Sequence, residues 1–230
     1  MKVKICGLTR PELLTAAAEA GVDFIGVVAY PRSHRHVAPM RAAALLEEAG
    51  MITRRPVPVV AVTVDASDAL LDAIMTEYAP QFIQLHGQES PGRAEAVRRL
   101  TGAGVIKCVP VSTRADIEGA HDFEGVADYL LFDARTPEGS SLPGGMGVSF
   151  DWTMMAGRSF SVPWFLAGGL DAANVAAAVA ASGARMVDVS SGVESAPGVK
   201  DADLIRAFIG AARAADPQGT GPQRTDGDPS

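Results

Sequence analysis

From one end to the other, the chain alternates short apolar runs with longer stretches of helical periodicity. That alternation restricts the folds open to it more than any other feature. The runs are Val3–Cys6, Phe24–Val28, Val57–Val64, Phe82–Leu85, Val105–Val109, Tyr129–Phe132, Trp164–Leu166 and Met186–Val189. Most are nearly continuous in apolar residues, as strands covered on both faces of a parallel sheet must be. Helical stripes fill the gaps: Leu70, Leu71, Ile74, Met75 and Tyr78 make one, and Leu204, Ile205, Phe208 and Ile209 another. Ser90-Pro91 reads as an N-cap followed by a first-turn proline, and Asp171 and Asp201 are N-cap candidates. Eight strand–helix units in 230 residues predict an α/β protein built as a single (β/α)8 TIM barrel. The competing open doubly wound sheet is disfavoured because no GxGxxG follows the first run.

Two stretches break the pattern. Ala134–Ser149 holds Pro137, Gly139, Pro143, Gly144, Gly145 and Gly147, too long and glycine-rich for a routine connection, and loops of this kind are often functional. Asp216–Ser230 is rich in Gly, Pro, Asp and Gln with almost no apolar residue. The expected organisation is therefore a catalytic barrel over residues 1–215 and a disordered tail over 216–230.

A net charge of −7 argues against a general nucleic-acid binder, which would carry a basic stripe. A small phosphorylated ligand is compatible with it, because helix N-termini and backbone N–H groups hold phosphate without net positive charge. The two cysteines, Cys6 and Cys108, are far apart and form no CxxC pair, which points to the reducing cytoplasm. Lys2–Gly7 has no signal-peptide character, and no segment approaches the ~20 apolar residues of a membrane helix.

In barrels of this type the active site lies at the C-terminal ends of the strands, so the strand list becomes a site list. Cys6 ends the first run, Arg35 and His36 follow the second, and His86 follows the fourth. Asp133 ends the sixth, Gly168-Gly169 the seventh and Ser190-Ser191-Gly192 the eighth. Side chains alternate along a strand, so Lys2, Lys4 and Cys6 share the interior face while Val3 and Ile5 meet the helices. A lysine on the same face as Cys6 favours a negative sulfur; Cys108 lacks such support and reads as core. Asp133 emerges from a buried strand, as either a loop-closing or a catalytic carboxylate. Asp188, inside Val187-Asp188-Val189, needs a partner, and the adjacency of strands eight and one nominates Lys4. The glycine and serine pairs after strands seven and eight sit where phosphate sites form in this fold. His34 and His36 could bracket a metal, but no third ligand is suitably spaced, so no metal site is expected there. His121 reads as surface.

Taken together, these segments resemble the phosphoribosylanthranilate isomerase family. The matching stretches are Lys4-Ile5-Cys6-Gly7-Leu8-Thr9, Tyr30–Arg35, Gln84-Leu85-His86-Gly87, Phe150-Asp151-Trp152, Gly168-Gly169-Leu170 and Val187–Glu194, in family order and spacing. The resemblance spans nearly everything from Met1 to about Ala214. It implies an aldose–ketose isomerase of tryptophan biosynthesis that performs an Amadori rearrangement without metal or organic cofactor, as monomer or homodimer. By the same analogy Cys6 is the general base and Asp133 the general acid. Arg35 holds the anthranilate carboxylate, His86 and Asp188 line the pocket, and Gly145 belongs to the loop beside it. The phosphate rests on Gly168, Gly169, Ser190, Ser191 and Gly192. Met146, Ala29, Thr63 and His34 depart from the family's usual residues. A dual-substrate sugar-phosphate isomerase would carry a carboxylate in place of Cys6, and a synthase-type barrel a catalytic strand lysine. A non-catalytic phosphate-binding barrel would need neither Cys6 nor Asp133.

Overall fold

The computed structural model describes residues 1–54, 57–135 and 149–216. Eight parallel strands hydrogen-bond in chain order and close on themselves: β1 (Lys2–Cys6), β2 (Phe24–Val28), β3 (Val59–Thr63), β4 (Phe82–Leu85), β5 (Gly104–Val111), β6 (Tyr129–Ala134), β7 (Trp164–Leu166) and β8 (Met186–Val189). This is the expected TIM barrel. β3 is shorter than its apolar run, whereas β5 and β6 extend beyond theirs, so Asp133 is the penultimate residue of β6.

The helical layer consists of α1 (Pro11–Glu19), α2 (Pro39–Glu48), α3 (Met51–Arg54), α4 (Asp68–Glu77), α5 (Pro91–Thr101), α6 (Arg114–Glu118), α7 (Val175–Ser182) and α8 (Ala202–Ala214). Local chemistry sets where they start. The Ser90 hydroxyl accepts from the Arg93 N–H with Pro91 in the first turn, and Thr113 and Asp116 form a reciprocal capping box. Asp201 caps α8 through the N–H groups of Asp203 and Leu204. Asp171 caps the turn that leads into α7 rather than α7 itself, accepting from Ala173 and Asn174. Between β6 and β7 the described residues form only a 3-10 turn, Trp152–Met155, where a full helix would complete the eightfold pattern. An antiparallel hairpin, β9 (Glu194–Ala196) and β10 (Val199–Lys200), is inserted between β8 and α8.

Strand parity sorts the buried residues into two sets. Val3, Ile5, Ile25, Val27, Val105, Leu130, Phe132 and Val187 face the helices, whereas Cys6, Phe24, Val60, Ile106, Cys108, Leu131, Phe165 and Met186 fill the barrel. At the N-terminal end of the strands the interior is plugged by aromatic rings. Phe24 meets Phe82, Tyr129 and Phe165 at centroid separations of 5.9, 5.7 and 5.3 Å, mostly edge to face. With that end closed, the polar interior residues are left to the other end.

Candidate active site

Lys4 is fully buried inside the barrel, and its Nζ donates to Asp188 Oδ1 at 2.9 Å. The two residues are register partners across the β1–β8 seam that closes the barrel, so the expected pair forms. Burial works against the ammonium, but the Asp188 carboxylate and the nearby Cys6 sulfur outweigh it and hold the Lys4 pKa above its ordinary value. Cys6 stands one interior position above Lys4. It fits there because β2 presents Gly26 opposite: a Cβ on Gly26 would lie 3.0 Å from the Cys6 sulfur and 3.1 Å from its Cα. The Ser190 hydroxyl donates to the Cys6 carbonyl at 3.2 Å, tying the ends of β1 and β8 together.

Across the mouth, Asp133 points inward from β6. Its Oδ1 accepts from the Ala134 N–H at 2.9 Å, and its Oδ2 lies 3.5 Å from His86 Nε2. The same Nε2 is 3.6 Å from the Cys108 sulfur. Burial opposes a charged ring, yet Cys108 and Asp133 reverse the balance and hold the His86 pKa well above the ordinary imidazole range. Gln84 on β4, in phase with His86 just beyond the strand, places its amide Nε2 2.9 Å from His86 Nδ1, while its own Oε1 is buried without a partner. A protonated ring demands an acceptor at Nδ1, and the carboxamide supplies one when turned so that its oxygen faces the ring. The loop carrying His86 is pinned by a buried clasp. Lys107 Nζ donates to Glu89 Oε2 at 2.7 Å and to the Gly87 carbonyl at 2.8 Å, and the Gly87 N–H donates to Glu89 Oε2 at 2.9 Å.

The loops after β7 and β8 approach the mouth so closely that side chains are excluded. Gly168 has φ +85°, and a Cβ there would lie 2.7 Å from the Ala134 nitrogen and 3.2 Å from Asp133 Oδ1. A Cβ on Gly192 would overlap the Leu170 carbonyl oxygen at 1.9 Å. Gly168, Gly169, Ser190, Ser191 and Gly192 thus bring backbone together at the C-terminal ends of β7 and β8.

Arg35 is buried and engaged with protein. Its Nε donates to Glu194 Oε1 at 2.6 Å and its Nη2 to Glu194 Oε2 at 2.9 Å, a bidentate pair. Lys200 joins it, donating to Glu194 Oε1 at 2.7 Å and to the Ser190 carbonyl at 2.7 Å. Burial alone would raise the Glu194 pKa, but the Arg35 and Lys200 hydrogen bonds pull it down to about 2. Lys200 in turn has its pKa lowered by burial against the opposing pull of Glu194. This network ties the loop after β2 to the hairpin after β8.

Gly145 and Met146 lie outside the described residues. Ala29 and Thr63 are buried at the ends of β2 and β3, and Thr63 Oγ1 donates to the Gln84 carbonyl at 3.2 Å. His121 is on the surface beside Glu118 and Glu124. The sequence alone assigns no role to Gln84, Glu194, Lys200 or the Glu89–Lys107 clasp, and places Cys108 in the core. Cys108 is indeed buried, but its interior parity with Ile106 brings its sulfur to His86.

The chain matches the profile of a family described as N-(5'phosphoribosyl)anthranilate (PRA) isomerase over residues 3–211. It is 51% identical over 218 residues to the N-(5'-phosphoribosyl)anthranilate isomerase of Paramagnetospirillum magneticum, covering 94% of this chain and 99% of that one. Among solved structures, phosphoribosyl anthranilate isomerase from Thermotoga maritima superposes with a TM-score of 0.81 at 33% identity, covering 93% of this chain and 99% of the other. A second isomerase structure, in complex with reduced 1-(o-carboxyphenylamino)-1-deoxyribulose 5-phosphate, gives a TM-score of 0.77 at 30% identity, with 93% and 99% covered. With the barrel and its mouth in place, these likenesses fix the assignment: the chain belongs to the N-(5'-phosphoribosyl)anthranilate isomerase family.

Proposed function

We propose that this protein isomerises N-(5'-phosphoribosyl)anthranilate to 1-(2-carboxyphenylamino)-1-deoxyribulose 5-phosphate in tryptophan biosynthesis, with Cys6 as general base and Asp133 as general acid. One observation carries the reading: β1 and β6 present a thiol and a carboxyl to the same mouth from well-separated strands, three steps apart around the closed sheet. The reaction needs a proton delivered to the ribose ring oxygen and another removed from C2'. Asp133 protonates the ring oxygen, the C1'–O bond breaks, and the amine nitrogen pair forms a Schiff base. Cys6 then removes the C2' proton, and the resulting enolamine tautomerises to the ketone. Proton transfer by positioned side chains suffices for each step, so the mechanism needs no cofactor.

Asp133 must reach its acid form, and His86 is the adjacent proton source. Imidazolium with carboxylate, and imidazole with carboxylic acid, differ only by one proton shifted between groups 3.5 Å apart. Gln84 as acceptor at Nδ1 supports the neutral ring left behind. Asp188 keeps Lys4 charged beside Cys6. The phosphate is assigned to the backbone of Gly168, Gly169, Ser190, Ser191 and Gly192, and the anthranilate carboxylate to the neighbourhood of Arg35. In this assignment Glu194 and Lys200 hold the Arg35 guanidinium in place. Both cysteines are free, which supports a reducing compartment. No helix among the described residues is long and apolar enough to cross a membrane. The protein acts as a monomer or homodimer on a small phosphorylated substrate. The test is turnover: the purified protein should consume phosphoribosylanthranilate with loss of its fluorescence. No consumption by folded protein would overturn the reading.

A further inference from the structure

His86, Cys108 and Asp133 each contribute one donor atom to the mouth, and these atoms all lie within 4.8 Å of one another. We propose that they form a site for a borderline-soft divalent cation, zinc or its analogue cobalt, bound through His86 Nε2, Cys108 Sγ and Asp133 Oδ2. The carrying observation is the fit of the distances to a coordination polyhedron. A tetrahedral zinc with bonds of about 2.05 Å to nitrogen, about 2.3 Å to sulfur and about 2.1 Å to oxygen has an N···S edge of about 3.6 Å and an N···O edge of about 3.4 Å. The corresponding separations here are 3.6 Å and 3.5 Å. Two edges of the tetrahedron are therefore already set, and both meet at the same imidazole nitrogen.

The surroundings suit the same reading. Asp133 Oδ1 is held by the Ala134 N–H, which orients the carboxylate and leaves Oδ2 for the ion. His86 is backed at Nδ1 by Gln84, whose buried Oε1 has no partner. A histidine bound through Nε2 carries its proton on Nδ1 and donates it to such an oxygen, the usual outer-sphere arrangement. On binding, the Cys108 thiol and the Nε2 position of the protonated His86 ring each lose a proton to solvent as the metal–sulfur and metal–nitrogen bonds form, with no change of oxidation state. Three protein ligands leave a fourth position for water. Occupation would take Asp133 out of service, so the cation should inhibit turnover; that consequence, unlike the site itself, rests on Asp133 being the general acid.

The chain has two cysteines, which allows a direct test in the full-length protein. In Cys6→Ser, Cys108 is the sole thiol, so a thiolate-to-cobalt charge-transfer band on adding Co2+ reports this site irrespective of catalysis. The expected result is one cobalt per chain, with the band abolished by adding Cys108→Ser. His86→Asn or Asp133→Asn should each weaken affinity at least tenfold, with circular dichroism verifying a folded barrel. Absence of the band in folded Cys6→Ser, or a band of undiminished affinity in either folded ligand variant, overturns the site. Zinc inhibition of the wild type is measured alongside: a site confirmed by cobalt that leaves turnover unaffected would instead count against Asp133 as the acid.

Discussion

Lys4 shows what a single charge does inside this barrel. Its ammonium is fully buried and its ion pair with Asp188 bridges the seam between β1 and β8. Removing one member of such a pair strands the other, at about 3–5 kcal/mol. Lys4→Met should therefore lose about that much stability in urea unfolding, and adding Asp188→Leu should recover a large part of it. Wild-type stability in Lys4→Met alone would mean that the pair contributes nothing. Glu194 makes a pH-dependent contribution whose sign follows from its lowered pKa. Folding holds its carboxyl at about 2 against an ordinary 4.5, so the native state binds fewer protons than the unfolded state between those values. The stabilisation is complete above the ordinary value and disappears as pH falls through the folded one. Thermal melts should show Glu194→Gln less stable than wild type at neutral pH, with the gap narrowing as pH falls from about 5 toward 2. A gap that stays constant over that range would remove Glu194 from the acid response.

Elements were legible where a local rule governs them. Apolar runs with the right spacing mark all eight strands, because a strand covered on both faces of a parallel sheet is built mainly of apolar residues. Parity then placed Cys6, Lys4 and Asp188 on the interior, and Ser90 and Asp201 marked real helix starts. What escaped depends on contacts between loops. The β9–β10 hairpin is held by Glu194 meeting Arg35, 159 residues earlier in the chain, and no local pattern encodes that meeting. Gln84 and Cys108 did leave a signal, since both are in phase with interior residues of their strands. Gly168 looked like a phosphate-loop glycine, but the structure adds a packing reason: its positive φ and its approach to Ala134 and Asp133 exclude a side chain. Gly168→Ala should destabilise by about 1–3 kcal/mol and lower kcat by displacing Asp133. Unchanged kcat and stability would show that the loop can retreat without cost.

At the scale of the whole molecule, the barrel divides its interior between an aromatic plug at one end and a polar mouth at the other. Asp216 reaches the plugged end, where its carboxylate receives a hydrogen bond from the Met1 amine. The proposed domain limit implies that a chain ending at Asp216 keeps its melting temperature and kcat. A marked loss of either would mean that residues 217–230 dock on the barrel. Closure of the sheet also separates Cys6 from Asp133 while aiming both at one mouth, as the proposed division between a base and an acid requires. That division of labour is most directly tested by kcat for phosphoribosylanthranilate turnover in Cys6→Ser and Asp133→Asn. Each substitution should lower kcat by about 10²–10⁴-fold with KM little changed, whereas near-wild-type kcat in both variants would contradict the account.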